Sequence, residues 1–170
     1  ITVENPVEYT LSGVNQCQVN VAAGMTFQKA LRAMLRQAPN VILVGEIRDE
    51  ETAHIAIEAA LTGHLVFATL HTNDAPSALT RLIDMGMAPF LVASSVQAVQ
   101  AQRLVRMLCP DCKTPEEMDA AKLKSVGLRE EQFAGKTLYR AAGCATCRNL
   151  GFKGRKGIYE IMVMNNRLRE

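Results

Sequence analysis

Two close pairs of cysteines, Cys109/Cys112 and Cys144/Cys147, constrain this chain more than any other feature. Two residues separate the members of each pair, and both pairs sit among small, polar or turn-forming residues, in Leu-Cys-Pro-Asp-Cys and Gly-Cys-Ala-Thr-Cys. That spacing lets two thiolates and nearby backbone N–H groups wrap one ion, and two such knuckles complete a tetrahedral four-cysteine zinc site. The 31 residues between the knuckles are too polar to hold a core unaided, so a metal clip would organise them. Paired disulfides or idle thiols are the plain alternatives. A thioredoxin-like redox motif would be single and would stand at a helix start after a strand. Four thiolates leave no open coordination position, so the expected zinc is structural. Cys17 lies apart in a strand-like stretch and reads as a small buried hydrophobe.

The 170 residues suit one domain, or one and a small satellite, and 48% hydrophobic with 21% charged residues suits a packed core. No run approaches the ~18 apolar residues of a membrane span. Reduced thiols arranged for a metal fit the cytoplasm. The chain opens on Ile1 and strand-like text, and reads as a piece of a longer protein. Charge is unevenly shared: residues 1–108 carry 7 Lys/Arg against 9 Asp/Glu, and residues 109–170 carry 12 against 8. Lys136, Arg140, Arg148, Lys153, Arg155 and Lys156 follow one another without an intervening acid. Such a stretch suits acidic lipid headgroups, a partner protein or nucleic acid, or is simply a solvated face.

The first hundred residues alternate strand-like and helix-like segments. Residues 1–4 read as a strand ended by Asn5-Pro6, and residues 14–21 as a hairpin or edge strand. Thr26 caps an expected helix over 27–37, with Phe27, Ala30, Leu31, Met34 and Leu35 on one face. Residues 41–44 form a continuous apolar run, the mark of a strand covered on both faces. Asp49 caps a helix over 50–61, residues 64–70 make a second buried strand, and a helix follows over 76–85. Helical text resumes over 89–108. A helix at 116–126 and a strand at 157–164 are expected beyond the first cysteines. Strand–helix–strand–helix order implies parallel pairing, hence an α/β sheet with helices on its faces.

In such a sheet, ligands gather at the carboxyl ends of the strands. Three strands here end in Glu4-Asn5-Pro6-Val7-Glu8, Gly45-Glu46-Ile47-Arg48-Asp49 and His71-Thr72-Asn73. Acids above adjacent strands hold Mg²⁺ or orient water, and histidine or arginine senses phosphate charge. Val41–Glu46 has the form of a Walker B element, with Glu46 placed to orient or deprotonate an attacking water. His71 falls at a carboxyl strand end, His64 at the opposite end, and His54 within a helix as a packed or surface residue.

These motifs, in this order, resemble the secretion ATPases that power type II secretion and type IV pilus assembly (the GspE/PulE and pilus-extension group). Ile1-Thr2-Val3-Glu4-Asn5-Pro6-Val7-Glu8-Tyr9 is similar to the family's Asp box, Leu35-Arg36-Gln37 with Val41–Asp49 to its Walker B, and Thr62–Val66 with Thr69–Asn73 to its His box. Ala101-Gln102-Arg103-Leu104-Val105 and the cysteine pairs are similar to its C-terminal metal-binding insertion. The resemblance implies a RecA-like α/β core over 1–108, a small helical zinc module over 109–156, and a return strand with the start of a helical region over 157–170. It implies a cytoplasmic homo-hexamer, peripheral to the inner membrane and docked on a platform protein, and it allows an acidic phospholipid surface as a further partner. ATP and Mg²⁺ are the implied nucleotide and ion, with Zn²⁺ structural. Glu46 would be the Walker B acid, Glu4 and Glu8 the Asp-box acids, His71 the residue facing the γ-phosphate, and Cys109, Cys112, Cys144 and Cys147 the zinc ligands.

Two departures stand out. Asn5 replaces the usual aspartate, and Ala38-Pro39-Asn40 stands where Asp-Pro-Asp is common, which weakens the acidic field. No G-x-x-x-x-G-K-[S/T] phosphate loop occurs in the chain; in the family it lies upstream of the Asp box, so these residues alone are expected to be inactive. A zinc-ribbon nucleic-acid module is a competing reading of the basic stretch, but aromatic content is only 5% and it leaves the polar strand ends unexplained. A non-catalytic interaction module is another. The paired cysteines favour assembly and secretion ATPases over retraction ATPases.

Overall fold

The computed structural model describes every residue except 118, 126, 128 and 134. It divides into two units, Ile1–Gln102 with Tyr159–Glu170, and Arg103–Ile158. In the first unit β1 (Thr2–Glu4), β2 (Gln16–Gln18), β3 (Val41–Val44) and β4 (Leu65–Ala68) form a parallel sheet in the order β2-β1-β3-β4. The stretch left open between hairpin and edge strand is therefore the parallel edge strand β2.

Capping chemistry sets where the helices start. Thr26 accepts from the Lys29 N–H ahead of α1 (Phe27–Met34), and Asp49 from the Thr52 N–H ahead of α2 (Glu50–Leu61). Asp74 accepts from the Ser77 N–H ahead of α3 (Ala75–Asp84), whose Pro76 lies in the first turn, where no N–H is missed. The carboxylate of Glu160 accepts a further N–H of that turn, from Ala75 at 2.8 Å. Ala30, Leu31 and Met34 of α1 and Ala53, Ile55, Ala56, Ile57 and Ala59 of α2 bury against Val3, Ile42 and Val44 of the sheet. Cys17 is half-buried against the same core.

Within these residues, only one face of β3 and β4 is covered by helices. The register pairs Val41 with Leu65 and Leu43 with Phe67, on the face opposite Ile42 and Val44. There Val41, Leu65 and Phe67 remain 42%, 52% and 53% exposed.

The helix expected through residue 108 is corrected. α4 (Pro89–Ser95) ends where Val96 turns extended, and β5 (Ala98–Leu108) follows. Alanine, glutamine and leucine satisfy a helical period there, but pairing with a partner strand decides the conformation. In the second unit β6 (Thr114–Glu116) pairs antiparallel with β7 (Leu138–Arg140), and α5 covers Ala120–Ser125. The helix expected at 116–126 is thus shorter, and two of its positions, 118 and 126, lie outside the described residues. β8 (Phe152–Val163) begins earlier than expected and pairs with β5. The chain closes on α6 (Asn166–Arg169). Among the described residues, no helix is long and apolar enough to cross a membrane.

Candidate active site and metal centre

Because β1, β3 and β4 run parallel, their carboxyl ends deliver polar residues to one edge of the sheet. Gly45 joins them. Its N–H donates to Val3 O at 2.7 Å, and its carbonyl accepts from the Thr69 hydroxyl at 2.5 Å. The Ile47 N–H donates to Thr69 O at 2.9 Å. A Cβ at Gly45 would stand 3.1 Å from both Glu4 Cα and Val3 O, so the close approach of β1 and β3 favours a residue without a side chain.

Glu46 leaves this junction with its side chain only 11% exposed. Its Oε2 accepts from Arg48 Nε at 2.5 Å and lies 3.2 Å from His71 Nε2. Burial pushes the Glu46 carboxyl up, but the hydrogen bonds and charges of Arg48 and His71 outweigh it and hold the group below its usual range. Glu4 is lowered too, first by the Thr2 hydroxyl, which donates at 2.5 Å, then by the Gln16 amide at 3.0 Å.

A cleft of about 550 Å³ is lined by Glu4, Glu8, Glu46 and His71, with Arg48 and Gln16 among its other walls. The four residues singled out from three separate strand ends thus share one concavity. His64 stands apart, its Nδ1 3.0 Å from Ala59 O. His54 pairs with Glu58 one helical turn on, at 3.4 Å. Sequence reasoning gives no role to Gln16 and does not anticipate the Arg48–Glu46 pair; the Gln-Cys-Gln alternation of β2 is the available signal for the first.

In the second unit the four paired cysteines converge. All are free thiols, and their sulfurs lie within 4.8 Å of one another. Cys109–Cys144, Cys112–Cys147 and Cys144–Cys147 are 3.9, 3.8 and 3.7 Å apart. A tetrahedron with metal–sulfur bonds of about 2.3 Å has edges of about 3.8 Å, so the donor set fits one four-coordinate thiophilic ion. The knuckles supply N–H donors as well: Gly143 to Cys112 Sγ at 3.3 Å, and Cys144 and Gly151 to Cys147 Sγ, each at 3.2 Å. Burial raises the Cys147 thiol, but these N–H groups and the adjacent thiols bring it down to about 6. Burial and the neighbouring thiols push Cys112 up to about 11, against the Gly143 N–H. Three rings near the basic stretch each carry a cation: Arg106 over Phe152, Lys113 over Tyr139 and Lys136 over Phe133.

Comparison with known proteins agrees with this architecture. The type II/IV secretion system protein family matches residues 1–170. The chain is 54% identical over 169 residues to the type II secretion system protein E of Pseudomonas aeruginosa, covering 99% of this chain and 33% of that protein. It is 53% identical over 168 residues to the type IV pilus assembly ATPase PilB of Thermus thermophilus, covering 99% of this chain and 19% of that one. It therefore spans a third or less of the length of these relatives. Among solved structures, the pilus retraction motor PilT with bound ADP superposes with a TM-score of 0.64 at 29% identity, covering 99% of this chain and 39% of PilT. The Legionella pneumophila ATPase DotB, at TM-score 0.62 and 23% identity, covers 99% and 37% and shares the fold. Matched along its whole length and half identical to secretion and pilus-assembly proteins, the chain belongs to the type II/IV secretion system protein family.

Proposed function

We propose that these residues form part of the motor of a hexameric cytoplasmic ATPase that couples ATP hydrolysis to pseudopilus or pilus assembly and protein secretion. The observation that carries the reading is the single cleft in which Glu4, Glu8, Glu46 and His71 meet. Glu46, held charged and oriented by Arg48 and His71, is the group that orients and deprotonates the attacking water. His71 reports on phosphate charge, and Glu4 and Glu8 face the phosphates from the neighbouring strand. Their oxygens are the hard donors that suit Mg²⁺, which would neutralise phosphate charge there. The chain lacks a phosphate loop, so turnover requires the parent protein, and the 170 residues alone are inactive. Hexamer formation, an inner-membrane platform protein and acidic phospholipid as partners follow from the family resemblance.

In the second unit the ion is zinc and its role is structural, since four thiolates fill a tetrahedral shell. Cys109, Cys112, Cys144 and Cys147 would hold it.

The test of the ATPase reading is steady-state hydrolysis by the parent protein and its Glu46→Gln variant, which keeps shape and removes charge. Loss of a general base should lower kcat by roughly 10²–10⁴-fold with nucleotide binding retained. Unchanged turnover would sink the assignment.

A further inference from the structure

The loop after β1, which carries Glu8, is anchored by two side chains of the neighbouring strand. Residues 5–11 are exposed apart from the partly covered Val7. Gln16 Nε2 donates to Glu4 Oε1 and to Tyr9 O, each at 3.0 Å, while its Oε1 accepts from the Leu11 N–H at 2.7 Å. Gln18 Oε1 accepts from the Val7 N–H at 3.2 Å.

The register explains why glutamines stand there. Thr2 pairs with Gln16, Val3 with Cys17 and Glu4 with Gln18, so strand alternation sends Val3 and Cys17 to the core and both glutamines to the face of Thr2 and Glu4. A primary amide is the side chain that fits Gln16's place, because it donates to a carboxylate and a carbonyl and accepts from an N–H at once. A carboxylate there would keep only the acceptor, and would set a second negative charge against Glu4.

We propose that Gln16 is a positioning residue for the ATPase reaction, fixing the Glu4 carboxylate and the loop that carries Glu8 in the cleft. Gln18, two residues further along β2, supports the same loop. This inference rests on the ATPase reading of the cleft, and it concerns how two acids are held rather than which groups react.

Two measurements on the full-length parent test it. Hydrogen–deuterium exchange of the segment 5–11 in Gln16→Ala should be faster by roughly tenfold or more than in the unmodified protein, since the Leu11 N–H loses its acceptor. Turnover is then measured for Gln16→Ala and Gln16→Glu, with kcat expressed per bound nucleotide so that misfolded protein does not count. A charge-bearing acid at the reaction centre is sensitive to a like charge beside it, so Gln16→Glu should be the more impaired, with kcat down roughly 100-fold against about tenfold for Gln16→Ala, and KM for ATP altered less than kcat in both. A merely structural role predicts the opposite order, because glutamate matches glutamine in volume and keeps the Leu11 acceptor. The proposal is overturned if Gln16→Glu is as active as Gln16→Ala or better, or if exchange over 5–11 is unchanged. Loss of activity in Glu46→Gln beside unaltered Gln16 variants would remove only the Gln16 assignment; full activity of Glu46→Gln would remove the ATPase reading itself, and exchange would still judge the anchoring.

Discussion

Replacing Gly151 by alanine should weaken the cysteine module by an amount that a second glycine calibrates. Gly151 has φ +74°, and a Cβ there would stand 2.6 Å from the Ala141 Cβ, well inside van der Waals contact. Gly154 has φ +80° with nothing within 4 Å of the same added atom. Both alanines cost about 1–2 kcal/mol for the left-handed backbone, and both gain the same few tenths from a stiffer unfolded chain. Only Gly151→Ala adds overpacking, about 1–3 kcal/mol. The difference between the two variants is thus about 1–3 kcal/mol, or roughly 5- to 150-fold in an equilibrium constant. It falls on the metal centre, because the Gly151 N–H donates to Cys147 Sγ at 3.2 Å and its carbonyl accepts from the Cys109 N–H at 2.9 Å. The assay is competition for zinc between the loaded protein and a chromophoric chelator. Gly151→Ala should surrender zinc at a correspondingly lower chelator concentration than Gly154→Ala. Equal retention by the two variants would refute the claim that contact between Gly151 and Ala141 sets the geometry of the second knuckle.

The titrating groups give two further expected outcomes. With Cys147 already near 6, it is a thiolate above that pH in the metal-free chain, whereas Cys112, near 11, must lose its proton to bind. Zinc uptake at about pH 7.5 should therefore release fewer than four protons per ion, and affinity, already falling as pH drops below about 11, should fall more steeply below about 6, where Cys147 also takes a proton; calorimetry in buffers of different ionisation enthalpy counts the protons, and a value of four would contradict the assignment. Arg48→Gln removes a hydrogen bond and a charge that lower the Glu46 carboxyl, so its pKa should rise. The acid limb of the parent's kcat profile should then move to higher pH, because the carboxylate is lost earlier on acidification; an unmoved limb would show that Glu46 does not set it.

Much of the sheet and its polar edge is legible in the sequence because the signals are local. Thr26, Asp49 and the Thr62-Gly63 stop are cap and breaker chemistry, which needs no tertiary partner to be read. Glu46 and His71 each follow an apolar strand, and parallel pairing alone brings their ends together. What misleads is the side of the strand. Leu65 and Phe67 are as apolar as any core residue, and only the structure shows that α1 and α2 pack on the other face. β5 escapes a sequence reading because Ala98–Leu108 suits a helix by composition, and the strand that claims it, β8, lies some distance away in the chain. The cysteine spacing announces a metal centre, yet the αL residues Arg148 and Asn149, which turn the second knuckle, carry no glycine to mark them. Gln16 is the hardest to read, since its importance lies in three simultaneous partners that only the register of β2 on β1 brings within reach.

The backbone junction at Gly45 bears on how a motor could use this cleft. Where side chains meet at the floor of a binding site, an arriving ligand can be accommodated by rotamer changes that die out within a residue or two. Here Gly45 has no side chain to yield: its N–H is bonded to Val3 O of β1, and its carbonyl to the hydroxyl of Thr69, the residue that follows β4. A shift of the backbone that carries Glu46 would therefore strain bonds to β1 and to the end of β4, beside the core that Ile42 and Val44 share with the helices.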